Sequence, residues 1–120
     1  FTHKYSRYHF DHWSYIGKLI YMNDILKSKT VSLNDLKRIP GVGKSIAVDL
    51  WSINIRSVED LKGQNPQTLY DLSNEFAGEI QDRCLLYVFK CAVYFAETPM
   101  DHRDAEMLKW WNWSDKNLKL

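Results

Sequence analysis

An all-α fold is what this 120-residue chain predicts, and three observations carry the prediction. Apolar residues recur at three- and four-residue spacings, as in Leu33, Leu36 and Ile39, in Leu69, Leu72 and Phe76, and in Leu85, Val88, Ala92 and Phe95. Two phrases, "SLNDLK" and "SVEDLK", place a serine where an N-cap belongs and a carboxylate three residues on, which satisfies free amides at a helix start. Pro40, Gly78 and Pro99 supply stops. With 45% hydrophobic residues the chain has apolar material for one core. The expected architecture is a compact helical domain around a helix-turn-helix corner, with a degenerate second copy of that corner and a C-terminal core helix.

Residues 1–26, "FTHKYSRYHFDHWSYIGKLIYMNDIL", are rich in Tyr and His and follow neither helical nor strand periodicity. Met22 opens a stretch suited to start a small domain, so residues 1–21 read as an extension ahead of it, and 27–120 as a single domain. His9 and His12 form an H-x-x-H pair with no partner Cys, Asp or Glu in a recognisable frame, and they read as solvated side chains, not metal ligands.

Residues 32–63 open and close with the matching phrases, Ser32 with Asp35 and Ser57 with Asp60, which suggests an internal duplication. Between them lies "RIPGVGKSIA". Its Gly-Lys-Ser echoes a phosphate-wrapping P-loop, but the glycine required five positions before Gly43 is Arg38, and the preceding stretch has helical spacing where a P-loop follows a strand. A nucleotide-binding loop is therefore rejected. Read instead as helix, tight turn, helix, every position has a task. Leu36 and Ile39 face the core, Pro40 ends the first helix, and Gly41 takes positive φ without steric cost. Val42 plugs inward, Gly43 permits close approach from outside, and Ala47 lets two helices cross tightly. The amides of Gly43, Lys44 and Ser45 lack intrahelical partners and form an anion site strengthened by the helix dipole. This is the helix-hairpin-helix pattern, which in known families grips the DNA backbone without reading bases. The second phrase is followed by "GQNPQTL", with no Gly-apolar-Gly, so one complete phosphate grip remains.

Pro66 sets the first turn of a helix that ends at Gly78, with Leu69, Leu72 and Phe76 on one face. The next run, "EIQDRCLLYVFKCAVYFAET", reads as the core helix, with Cys84 and Cys91 as small buried hydrophobes. Two helical turns, roughly 10 Å, separate these cysteines, too far for a disulfide. The last region, "DAEMLKWWNWSDK", carries Trp110, Trp111 and Trp113. Two readings stay open: a terminal helix closing the core with bulky rings, or a surface that stacks on unpaired bases or meets a partner.

Net charge is +1, which excludes the strong basic field of a general DNA binder. Its distribution is uneven. From Lys27 to Lys62 seven basic residues face four acidic ones, and from Gly63 onward six face nine. The positive part coincides with the hairpin, as a small backbone-contacting face requires. No run reaches the roughly 18 apolar residues of a membrane span and no signal peptide is evident, so a cytoplasmic protein is expected.

The run from Leu36 to Trp113, with its signatures "IPGVGKSIA", "IRSVEDLKG" and "QDRCLLYVFKCAVYFA" plus the trailing "WWNW", resembles the bacterial pathogenicity-locus family of helix-hairpin-helix proteins. Some members carry the label mitomycin resistance protein. The resemblance implies a small all-helical domain, DNA association, and no established catalytic activity. Asn54 stands where such proteins often have glycine, and asparagine tolerates the left-handed conformation of a helix end.

The expected function is sequence-nonspecific binding of the DNA backbone through Gly41, Val42, Gly43, Lys44 and Ser45, with supporting contacts from Lys37, Arg38 and Arg56, no cofactor, and a role in DNA repair or maintenance. The alternative is a protein-interaction module or homodimer built on the Trp-rich C-terminus, with the hairpin as a corner. An enzyme is disfavoured. Asp60 lies where a DNA glycosylase has its aspartate, but it belongs to a capping phrase, the chain lacks length for a second lobe, and neither a nuclease carboxylate cluster nor a Cys/His metal frame is visible.

Overall fold

The computed structural model describes residues 12–118, and the secondary structure among them is entirely helical. Helix α1 spans His12–Leu36, α2 Lys44–Ser52, α3 Pro66–Ala77, α4 Cys84–Glu97 and the short α5 Asp115–Leu118. Short 3-10 turns at Glu59–Leu61, Met100–His102, Ala105–Leu108 and Trp110–Trp113 fill the connections. The chain divides into two units, residues 1–31 and 32–120, with the boundary inside α1.

In the first unit, α1 runs through residues whose apolar positions follow no face. Leu19, Ile20, Tyr21, Met22 and Val31 are all exposed. The segment is helical although its apolar residues follow no face. Residues 1–11, His9 among them, and the side chain of His12 lie outside the described residues.

The second unit is built on α4. Its Phe89, Cys91 and Ala92 are fully buried, and Leu85, Leu86, Val88, Phe95 and Ala96 join them. The same core takes in Leu36 from the end of α1, Ile39 from the turn after it, Ala47 and Leu50 from α2, Leu61, and Leu69 from α3, each nearly or fully removed from water. Burial of side chains this size contributes about 1.5–3 kcal/mol each before chain entropy opposes it.

Helix ends follow the local chemistry. Asn65 caps α3 by accepting the amides of Gln67 and Thr68 at 2.8 and 3.3 Å, Pro66 occupies the first turn, and Gly78 at φ 75° closes the helix. Asn54, past the end of α2, adopts φ 72°, the left-handed conformation expected of it.

Four expectations are corrected by packing. Ser32 is not an N-cap but a buried residue within α1, because no Gly or Pro from Lys18 to Ile39 interrupts the helix. The second phrase closes a turn, with Ser57 Oγ accepting the Asp60 amide at 3.2 Å, but only a 3-10 turn follows. On α3 the buried face comprises Leu69, Tyr70 and Ser73, whereas Leu72 and Phe76 point to solvent. The inward direction is set by α4, and Tyr70 is held there by donating its hydroxyl to the Gln81 carbonyl at 2.6 Å. Cys84, the first residue of α4, is exposed, so only Cys91 behaves as a buried hydrophobe.

The tryptophan segment is likewise not one helix. Extended backbone at Lys109 and Ser114 separates two 3-10 turns from α5 and gives the three rings different environments. Trp113 is half-buried, donates Nε1–H to the Met107 carbonyl at 2.8 Å and lies 5.6 Å from the Tyr94 ring. Trp110 packs against the core, and Trp111 is 50% exposed.

Candidate functional site

The candidate site is the turn Lys37–Gly43 and the first turn of α2. Ile39 donates its amide to Leu36 and Val42 donates to Ile39, at 3.1 and 3.0 Å, so the chain reverses tightly after α1. Gly41 sits at φ 88°, a conformation that costs an L-residue roughly 1–2 kcal/mol. Val42 is 5% exposed and seals the turn from within. Helix α2 begins as Ala47 donates to the Gly43 carbonyl at 2.9 Å.

Gly43 is the N-cap of α2, with extended backbone (φ −94°, ψ −166°) and no side-chain cap. Among the described residues, the amides of Gly43, Lys44 and Ser45 donate to no acceptor, and Lys44 makes no ion pair. All three residues are exposed. A Cβ built on Gly43 meets nothing within 4 Å. Three unpartnered N–H groups therefore converge on open solvent at the positive end of a helix dipole beside a free ammonium, an arrangement suited to an anion.

Of the five residues expected to form this grip, Val42 stands apart, because its amide is spent inside the turn. Gly41 is exposed and its amide donates to no acceptor among the described residues, although a Cβ on it would lie 3.0 Å from Trp110 Cδ1. Gly43, Lys44 and Ser45 form the set at the start of α2.

The supporting cations are dispersed. Lys37 is exposed and, among the described residues, without an ion pair. Arg38 is also exposed, but its guanidinium bonds to the Asp35 carboxylate at 2.7 Å. Arg56 lies beyond the other end of α2, its guanidinium 3.7 Å above the Trp51 ring. Asp60 does not project freely, because its Oδ2 accepts the Arg56 amide at 3.0 Å.

Asp35 joins the two matching phrases. Its Oδ2 accepts the Val58 amide at 2.8 Å while Oδ1 accepts from Arg38. Burial pushes its pKa up, but the Val58 amide, the Arg38 hydrogen bond and the Arg38 charge together outweigh burial and hold the carboxyl below its ordinary range. The fold thus ties the end of α1 to the loop after α2 and fixes the hairpin from behind. Sequence reasoning assigned Asp35 to a cap at Ser32 and missed this bond. A bond across 23 residues leaves no mark in local spacing. The Trp110 contact was missed for the same reason.

The described residues contain no group of three or more His, Cys, Asp or Glu side chains placed to hold a metal ion. Nor, among them, is any helix long and apolar enough to cross a membrane.

A family model described as Cdd1, pathogenicity locus, matches residues 29–119. No curated protein and no solved structure matches the chain.

Proposed function

The chain belongs to the pathogenicity locus family, and we propose that it binds the DNA backbone, without reading bases, through a helix-hairpin-helix. The observation that carries this reading is the set of unpartnered amides at Gly43, Lys44 and Ser45 around an open Gly43. A phosphodiester brings the negative charge and the acceptor oxygens that this end of α2 lacks. A backbone grip delivers no side chain to a base edge, so affinity is expected to be independent of sequence. With one such grip and a net charge of +1, binding is weak and salt-sensitive. No catalytic step is proposed, and the Asp60 carboxylate is engaged by the Arg56 amide. A role in DNA repair or maintenance, and the mitomycin-resistance label, belong to this proposal and rest on the resemblance alone.

Fluorescence anisotropy with duplex, single-stranded and forked DNA across a salt series tests the reading. Lys44→Ala should weaken every sequence equally and reduce the slope of log K against log salt by about one. Gly43→Val should do more harm, because a β-branched side chain enters the space a phosphate needs while its backbone angles suit an L-residue. Normal binding by both variants, with folded circular dichroism spectra, would refute it.

A protein-interaction role has a different support. Leu72 and Phe76 on α3 and Ile80 in the loop after it are exposed. Of Trp110, Trp111 and Trp113, it is Trp111 that is exposed enough to serve such a surface.

A further inference from the structure

Within the second unit, a cleft of about 350 Å³ opens between the end of α1, the Glu59–Leu61 turn and the chain leaving α4. Three cations line it, Arg38, Lys62 and Arg103, with two carboxylates, Asp35 and Glu59. Each carboxylate already has a cation: Asp35 with Arg38 at 2.7 Å and Glu59 with Lys62 at 3.1 Å. Arg103 has none among the described residues.

Arg103 is nonetheless held in place. Its guanidinium lies 3.7 Å above the buried Phe95 ring, and its Nε–H donates to the Thr98 carbonyl at 2.9 Å. Stacking on one side and a hydrogen bond at Nε leave both terminal nitrogens without an acceptor among the described residues. A planar guanidinium fixed this way has lost most of the freedom it would otherwise surrender on binding an anion. The Glu59–Lys62 pair is exposed and worth little, so the Lys62 ammonium is available to a better acceptor.

We propose that this cleft binds a phosphomonoester, as the terminal phosphate of a nucleic-acid strand or as a free nucleotide. A monoester carries roughly −1.5 to −2 charges near neutral pH and three terminal oxygens, against the single charge of a backbone diester. Arg38, Lys62 and Arg103 are three donor groups around one space, with one cation more than the carboxylates neutralise. The volume is at the small end of ligand clefts, about 300–1,000 Å³, which suits a terminal group better than a chain passing through. The site shares no residue with Gly43–Ser45 and does not rest on the hairpin reading.

The test uses the full chain with one single-stranded oligonucleotide carrying a 5′-phosphate or a 5′-hydroxyl, and with dAMP as the free monoester. Anisotropy should show the phosphorylated strand bound about tenfold more tightly, the worth of one net charge-assisted hydrogen bond. Titrated dAMP should shift the NMR amide signals of Val58 and Ala96. A strand preference without dAMP shifts assigns the site to strand ends, and dAMP shifts without a strand preference assign it to free nucleotides. Lys62→Ala, at an exposed side chain that leaves the fold intact, and Arg103→Lys should each reduce the responding signal severalfold, while Lys44→Ala leaves the phosphate-to-hydroxyl ratio unchanged. Absence of both signals in the parent, or their persistence in both cleft variants, overturns the proposal.

Discussion

Trp110 lies against Gly41, so close that a β-carbon on the glycine would stand 3.0 Å from the indole Cδ1. The C-terminal segment thereby buttresses the turn whose other glycine, Gly43, faces open space. Of the two glycines of one short motif, one is covered where a Cβ would stand and the other is open.

The contrast predicts opposite outcomes for one substitution. Gly41→Ala meets both a positive φ and the Trp110 ring, and should destabilise the fold by about 1–3 kcal/mol. For a domain of this size that lowers the melting temperature by several degrees per kcal/mol, roughly 4–8 °C. Gly43→Ala meets neither obstacle and should leave the melt within a degree or two, while the proposed function requires it to weaken DNA binding. Thermal denaturation followed by circular dichroism reads both.

The tryptophans should separate in the same way. Trp110→Ala removes a half-buried ring from the hairpin and the core and should cost about 2–4 kcal/mol, somewhat below the range for a fully buried aromatic. Trp111→Ala, at a half-exposed ring, should cost under 1 kcal/mol. Denaturant unfolding curves for the two variants test this ordering, and equal losses would contradict it.

Asp35 should make stability depend on acidity. Its folded pKa lies below the ordinary value of 3.8, so the stabilisation is complete above that value and is lost as the pH falls through the folded pKa. Asp35→Asn keeps an oxygen for the Val58 amide but abandons the ion pair. It should cost roughly 1 kcal/mol at pH 7, since the pair is partly solvated. The gap between variant and parent should close as the pH falls through the folded pKa of Asp35, as urea melts across pH would show.

The two thiols should react on separate timescales. Cys84 is exposed, although its hydrogen bond with the Asp82 carboxylate raises its pKa. Cys91 is buried, and burial pushes its thiol up to about 11. A chromogenic disulfide reagent should titrate one thiol equivalent in the native protein and reach the second only as fast as the chain unfolds. Cys84→Ser should abolish the native phase alone.

Features that depend on neighbours along the chain are set locally and can be read from residue order. Pro66, Gly78 and Asn54 prescribe backbone conformations through their own sterics, and Leu36, Ile39, Val42, Ala47 and Leu50 mark a buried face by spacing alone. The open amides of Gly43–Ser45 were legible for the same reason, because a helix start without a capping side chain leaves them free wherever it occurs. Tertiary structure alone decided which side of α3 faces inward, since Leu72 and Phe76 share a helical period with Leu69 and only the position of α4 and the bond from Tyr70 to Gln81 break the tie. It also turned Asp35 from a local cap into a tie to Val58, seated Trp110 on Gly41, and brought Arg38, Lys62 and Arg103 around one cleft. These contacts join residues between 23 and 69 positions apart, and spacing along a chain carries no record of what folding brings to its side.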